Sequence, residues 1–362
     1  MSVVAVLDEK KPSCLRPSGT PGAENQQSQN NLTLLRLIAA GLVVFGHAFT
    51  FVGKQSPDIL GLSPGALGVY IFFSVSGFLI TQSFDRDPHL LRFLARRSLR
   101  IFPALAVCIL VTVFILGPLF SSLGWRAYFQ SPDTWGYMRN LGLYIVYSLP
   151  GVFAGNAFPH AVNGSLWTLP VEFGMYLILA ACGLVSRKRS FFALLALIWA
   201  VTSLFWARPA DSMLVFYGTD IRQLFICGTY FWIGANIYSS GWNKYFGVKL
   251  AIAAILLHLI AAPCDWLRYI VDWFAIAIIA LSFGLSRQIP PLGKLIKDRD
   301  YSYGVYIYAF PIQQAIACLC PQIEIAPYLV LSATVIFFCA FLSWHLIEKP
   351  CLSLKPRAIS AS

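Results

Sequence analysis

Apolar residues in this chain gather into long runs divided by short polar stretches, and the spacing of those runs predicts its architecture. Runs long enough to cross a bilayer, or nearly so, lie at 32–52, 65–84, 101–120, 166–185, 190–207, 222–240, 249–262, 268–285, 302–319 and 327–346. A helical crossing takes about 20 apolar residues, so 249–262 must borrow flanking positions. An eleventh run, 141–153, contains Pro150 and Gly151 and is too short to cross; its length fits a re-entrant or interfacial segment. Residues 1–30 are polar, rich in Gln, Ser and Pro, and lack the apolar core of a signal peptide. The expectation is an all-α polytopic transmembrane helical bundle of ten spans plus that short segment. It forms one domain over residues 31–350, with a disordered tail at 1–30 and a second tail at 351–362.

Composition agrees. Hydrophobic residues make up 57% of the 362 and charged residues only 12%, about half the usual charged share. A soluble fold of this size could not cover its surface with so few charges, and disorder, collagen and coiled coil are excluded by the same figures. The net charge of +11 would suggest nucleic acid in a soluble domain, but loops rich in Lys and Arg on one side of a membrane explain it without such a partner. The 85–100 connection holds five Arg, 187–189 reads Arg-Lys-Arg, and 286–299 holds four basic residues. With ten spans, 20 of the 27 Lys and Arg fall on one side and six on the other. That split predicts both termini in the cytoplasm. The nine cysteines show no metal-type spacing.

Ionisable residues inside spans are costly and mark function. Arg36 and His47 stand eleven residues apart in the first run, about three helical turns, which puts both on one face about 16 Å apart. Arg92, Arg96 and Arg100 recur at i, i+4 and i+8, with Arg97 and Arg100 three apart, a positive face suited to bidentate phosphate binding or to anionic lipid. Thr168, Glu172 and Tyr176 likewise share a face. Glu172 is the clearest acid within a span, with Asp272 its rival. Ser74 and Gly77 form a small-residue strip suited to close helix packing. His258 and His345 read as structural.

These pieces, in this order, resemble the acyltransferase-3 family of integral-membrane acyltransferases that O-acylate bacterial surface glycans. The resemblance rests on Arg36 with His47, on Gly68-Val69-Tyr70-Ile71-Phe72-Phe73 leading to Ser76-Gly77-Phe78, and on Arg97-Ser98-Leu99-Arg100-Ile101-Phe102-Pro103. It continues in Ser165-Leu166-Trp167-Thr168-Leu169-Pro170-Val171-Glu172, Ser302-Tyr303-Gly304-Val305-Tyr306, Phe310-Pro311-Ile312 and Ile347-Glu348-Lys349-Pro350. It implies ten helices in the bacterial inner membrane, His47 as the essential catalytic residue, and Arg36, Arg97 and Arg100 on the side of an acyl-CoA donor, acetyl-CoA in the first instance. The acceptor it implies is a glycan or lipid-linked sugar, with Trp167, Tyr176 and Ser76 assigned to substrate binding and no metal. Two positions depart from the family: Thr33 stands where members often carry an acid three residues before the arginine, and Ala309 where many carry His before the late Phe-Pro.

The chemistry follows. A hydroxyl must lose its proton as it attacks a thioester; His47 can take it as general base, and Glu172 can orient or stabilise His47 as an acid does in other triads. The alternative is a proton-coupled secondary transporter or lipid-linked-sugar exporter, which would use intramembrane His, Glu and Arg too. Transporters commonly show internal repeats, and none is visible in this sequence.

Overall fold

Ten helices of fourteen residues or more carry the fold in the computed structural model, which describes residues 31–159, 161–206, 214–286, 289–290, 292 and 299–356. They are α1 (Leu32–Phe51), α2 (Pro64–Arg86), α3 (Leu90–Val111), α4 (Thr168–Val185), α5 (Arg189–Trp206), α6 (Arg222–Ser240), α7 (Val248–Ala261), α8 (Asp265–Leu285), α9 (Ser302–Leu319) and α10 (Ile325–Ser343). Helix α2 starts where Ser63 Oγ accepts the Ala66 N–H at 3.3 Å with Pro64 in the first helical position, a side-chain cap followed by a residue whose missing N–H costs nothing there. A π turn over Thr112–Leu116 carries α3 on to Phe120, and Tyr128 OH donates to the Val113 carbonyl within it at 2.9 Å. A second π turn, Trp344–Glu348, extends α10 to Ser353. The one strand pair among the described residues joins Val215–Phe216 to Thr219–Asp220.

The chain is an all-α polytopic membrane bundle, but the expected ten crossings are not there. Seven helices are long and apolar enough to cross: Leu32–Phe51, Pro64–Arg86, Leu90–Phe120, Gly164–Val185, Arg189–Trp206, Asp265–Leu285 and Ile325–Ser353. The other three fail for different reasons. Helix α7 has 14 residues, about 21 Å at 1.5 Å each, against a hydrocarbon core of about 30 Å. Helices α6 and α9 are longer but polar: α6 carries Arg222, Gln223, Thr229 and Asn236, and α9 carries Ser302, four hydroxyl or amide side chains at Tyr303, Tyr306, Gln313 and Gln314, and Tyr308. Both are packed inside the bundle, where an unbroken stretch of α6 from Cys227 to Ala235 is buried. A helix surrounded by protein has no need of a lipid-compatible surface. Seven crossings leave the termini without a fixed side; residues 1–30 lie outside the described residues, and 141–153 continues from a 3₁₀ turn (Tyr137–Gly142) as irregular chain whose Leu143, Ile145, Leu149, Val152 and Phe153 enter the core.

The Ser74–Gly77 strip lies where α2 crosses α6. A Cβ on Gly77 would stand 1.8 Å from the Phe231 carbonyl oxygen, and one on Gly234 would stand 2.1 Å from the Ser74 carbonyl oxygen. Backbones this close admit only glycine on each side. Gly77→Ala is therefore expected to destabilise the protein by about 1–3 kcal/mol or more, read as a lower thermal midpoint in detergent. An unchanged midpoint would mean that the two helices separate freely.

Candidate functional site

The arginines of α3 do not act alike. Arg92 and Arg96 both bind Asp87, Arg92 at 2.6 and 3.0 Å and Arg96 at 2.6 Å. Those hydrogen bonds, Arg92's first, hold the Asp87 carboxyl well below the usual carboxylate range although burial opposes the shift. Arg100 donates to Asp300 at 2.6 Å and to Glu348 at 3.2 Å. Arg36 reaches the same Asp300 oxygen from α1. Arg97 has no carboxylate partner among the described residues: it reaches Ser83 Oγ at 3.4 Å, its guanidinium carbon lies 5.9 Å from the Phe93 ring centroid, and its buried Nε has no hydrogen-bond partner. Nearby Lys355 is held down to about 8 by burial, with Arg97 and Arg100 adding to the effect. Among the described residues, this end of the bundle thus carries more positive than negative side chains, and Arg97 is the arginine there without a carboxylate partner.

Two carboxylates that sequence reasoning did not place in the site hold it together. Asp300 precedes Ser302, which donates to it at 2.5 Å. Burial alone would raise the Asp300 carboxyl, yet Arg100 and Arg36 outweigh it and hold it low. Arg36 therefore has its acid partner in spite of Thr33, from a residue 264 positions away. Glu348 is aimed by the π turn at the end of α10; it accepts from Ser343 at 3.0 Å as well as from Arg100. Such π turns recur at functional sites. The only sequence signal for Glu348 was its place in the late Ile-Glu-Lys-Pro block.

Beyond the arginine end a narrow cavity opens, with about 40 Å³ of space and walls that include Arg36, Phe72, Phe73, Ser76, Leu169 and Glu172. A water needs roughly 10–15 Å³ by such a measure, so it admits only a thin chain. Glu172 accepts from Ser76 Oγ at 3.1 Å and from Tyr176 OH one turn along α4. Ser76, Glu172 and Tyr176 are thus brought together, and no hydrogen bond among the described residues joins Glu172 to His47.

His47 instead lines a second, wider cavity of about 340 Å³ with Thr50, Ser56, Ser63, Ser165, Trp167 and Gln223. Its ring stands edge-on to Phe310, centroids 5.1 Å apart, and its Nδ1 is buried without a hydrogen-bond partner among the described residues. Leaving such an atom unsatisfied costs on the order of 1–3 kcal/mol, which packing alone does not explain. Ala309, beside Phe310, is buried in an apolar cluster with Ala40, Val44 and Ala340. Of the other histidines on helices, His258 lies 2.6 Å from Asp272, a partnership its sequence context did not reveal, and His345 lies 2.9 Å from the Phe341 carbonyl oxygen. No group of three or more potential metal ligands occurs among the described residues.

Comparison with known proteins bears on what this arrangement does. A family model described as an acyltransferase domain matches residues 29–344. The chain is 32% identical to an "O-acetyl transferase" of Shigella phage Sf6, over 87% of this chain and 93% of that one. It is 28% identical to "Nodulation protein 10" of Rhizobium leguminosarum, over 94% and 98% of the two chains. A "Peptidoglycan O-acetyltransferase" of Listeria monocytogenes is 26% identical over 79% of this chain and 51% of its own. No solved structure matches.

Proposed function

Because the chain belongs to this acyltransferase family and is a membrane-bound O-acyltransferase, we propose that it moves an acetyl group from acetyl-CoA to a hydroxyl of a surface glycan or lipid-linked sugar, with His47 as general base. The observation that carries this reading is the pair of unlike cavities on one helix. At the Arg36 end lies the arginine cluster, with Arg97 lacking a carboxylate partner among the described residues, near a thin, mainly apolar cavity, which suits the phosphates and acyl arm of a CoA thioester. At the His47 end lies a wide chamber lined with hydroxyls, an amide and three aromatic rings, Tyr70, Trp167 and Tyr306, which suits a polyhydroxylated acceptor.

The acceptor oxygen attacks the thioester carbonyl carbon, the C–O bond forms and the C–S bond breaks. His47 takes the hydroxyl proton as attack proceeds and returns it to the departing thiolate, so no net proton is gained or lost. Glu172 stands on the donor side of the bundle with Ser76 and Tyr176, where it positions the Ser76 hydroxyl on the wall of the donor cavity; Trp167 flanks the acceptor. Excess positive charge at the arginine end supports a cytoplasmic placing of that end in the bacterial inner membrane, facing the donor supply. The names of the phage and Listeria relatives support acetyl as the group and a glycan as the acceptor.

Mass spectrometry of surface glycans from producing cells with and without the protein tests this. The expected result is an acetyl-sized increment per modified sugar, labile to mild alkali, only in cells that carry the protein. Identical glycans in both cells would remove glycan acylation as the function.

A further inference from the structure

The two cavities share two wall residues, Val69 and Tyr306, so those side chains stand between the donor cavity and the acceptor chamber, where a neck joining them would run. If acyl transfer runs as proposed above, every acyl group must pass this neck to meet a hydroxyl activated at His47. The Tyr306 ring is fixed there from three directions. Its hydroxyl lies 2.7 Å from Thr168 Oγ1 and donates to the Ser165 carbonyl at 2.9 Å, and Phe72 stands edge-on to its face with centroids 5.8 Å apart. The residue is buried. Its hydrogen bonds both run to the segment that carries Ser165 and Thr168, so the ring cannot swing aside without losing them in an apolar surrounding.

We infer that Tyr306 is the specificity-determining residue for the acyl group, its ring narrowing the neck so that only a short acyl chain reaches the acceptor. On the donor side the adjoining walls are Phe72, Phe73 and Leu169, bulky and apolar, and the space is too small to store a longer chain in another direction. A tight apolar wall discriminates by about 10–200-fold per methylene. The ring, rather than the hydroxyl, sets the width, and its burial against Phe72 holds it in place.

The test uses membranes of producing cells, which hold the natural acceptor, with the chromosomal copy replaced by wild type, Tyr306→Ala or Tyr306→Phe. Each is supplied with radiolabelled acetyl-CoA or butyryl-CoA, and alkali-labile label is counted per amount of protein. Wild type and Tyr306→Phe are expected to favour acetyl by at least roughly tenfold. In Tyr306→Ala the preference is expected to collapse, with butyryl transfer rising in absolute rate. An unchanged preference in Tyr306→Ala present at normal level overturns the inference. Should that variant be lost from the membrane, Val69→Ala widens the same neck at its other shared wall residue, and an unchanged preference there overturns it equally. Wild-type membranes that take no label from acetyl-CoA contradict the donor reading itself, a separate failure.

Discussion

Membranes carrying His47→Gln or His47→Ala are expected to hold normal amounts of protein and to lose about 10²–10⁴-fold in acyl transfer, the contribution of a positioned general base. Glutamine separates the two roles this residue could have. Were His47 there to bridge helices, its ring nitrogens would be paired and the amide would restore part of the activity, since such a bond is worth only about 1–2 kcal/mol. Its buried Nδ1 has no partner among the described residues, so there is no bridge at that atom for glutamine to replace. The ring is held by contact with Phe310 and with Phe51, at centroid distances of 5.1 and 6.1 Å, and neither substitution opens a void large enough to unfold the bundle. Transfer by the Gln variant at more than about a tenth of the wild-type rate would take His47 out of the chemistry.

Replacing Arg100 and Arg97 by Met is expected to give opposite phenotypes. Arg100 is committed to Asp300 and Glu348, and its loss leaves carboxylates buried without their main cation. Breaking a buried pair in this way costs about 3–5 kcal/mol, so Arg100→Met should reduce the amount of folded protein and its thermal midpoint. Arg97 has no carboxylate partner among the described residues; Arg97→Met should leave the midpoint nearly unchanged and raise the KM for acetyl-CoA. The same network has a pH signature. Because Arg100 and Arg36 hold the Asp300 carboxyl below its unfolded value, its contribution is fully present above the unfolded carboxyl range and is lost as pH falls through the lower folded value. The Asp300 contribution should therefore be constant from neutral to mildly acidic pH and be lost below about pH 4. Equal loss of folded protein in both Met variants would deny that Arg97 is kept free for a ligand.

Much of this site was legible in the chain because it depends on one helical period. Arg36 and His47 share a face through simple three-turn arithmetic, and each lines a cavity at its own end. Thr168, Glu172 and Tyr176 repeat on one face of α4, with Glu172 bonded to Tyr176 and Thr168 to Tyr306. What could not be read is what comes together across the bundle. Asp300 is 200 residues from Arg100, and nothing local to it marks it as that arginine's partner. The count of crossings failed for a related reason: an apolar run says that a helix is buried, whereas lipid and protein are alternative surroundings. The tyrosines of α9 are apolar enough to extend a run, yet their hydroxyls bond inside the protein, as Tyr303 does to the Ile101 carbonyl at 2.8 Å. The arginine face was likewise read as one cluster, while Asp87 withdraws Arg92 and Arg96 from it.

The two-cavity arrangement requires donor and acceptor to enter from opposite ends of one bundle. Purified protein in sealed lipid vesicles, with radiolabelled acetyl-CoA enclosed and the isolated surface glycan of the producing cell added only outside, tests this directly. Acetyl-CoA does not cross the bilayer unaided, and either orientation of the protein leaves a population able to act. The expected result is alkali-labile label on the external glycan that disappears with His47→Ala. Label that reaches the glycan only when both substrates share a compartment would contradict passage of the acyl group from the arginine end to His47.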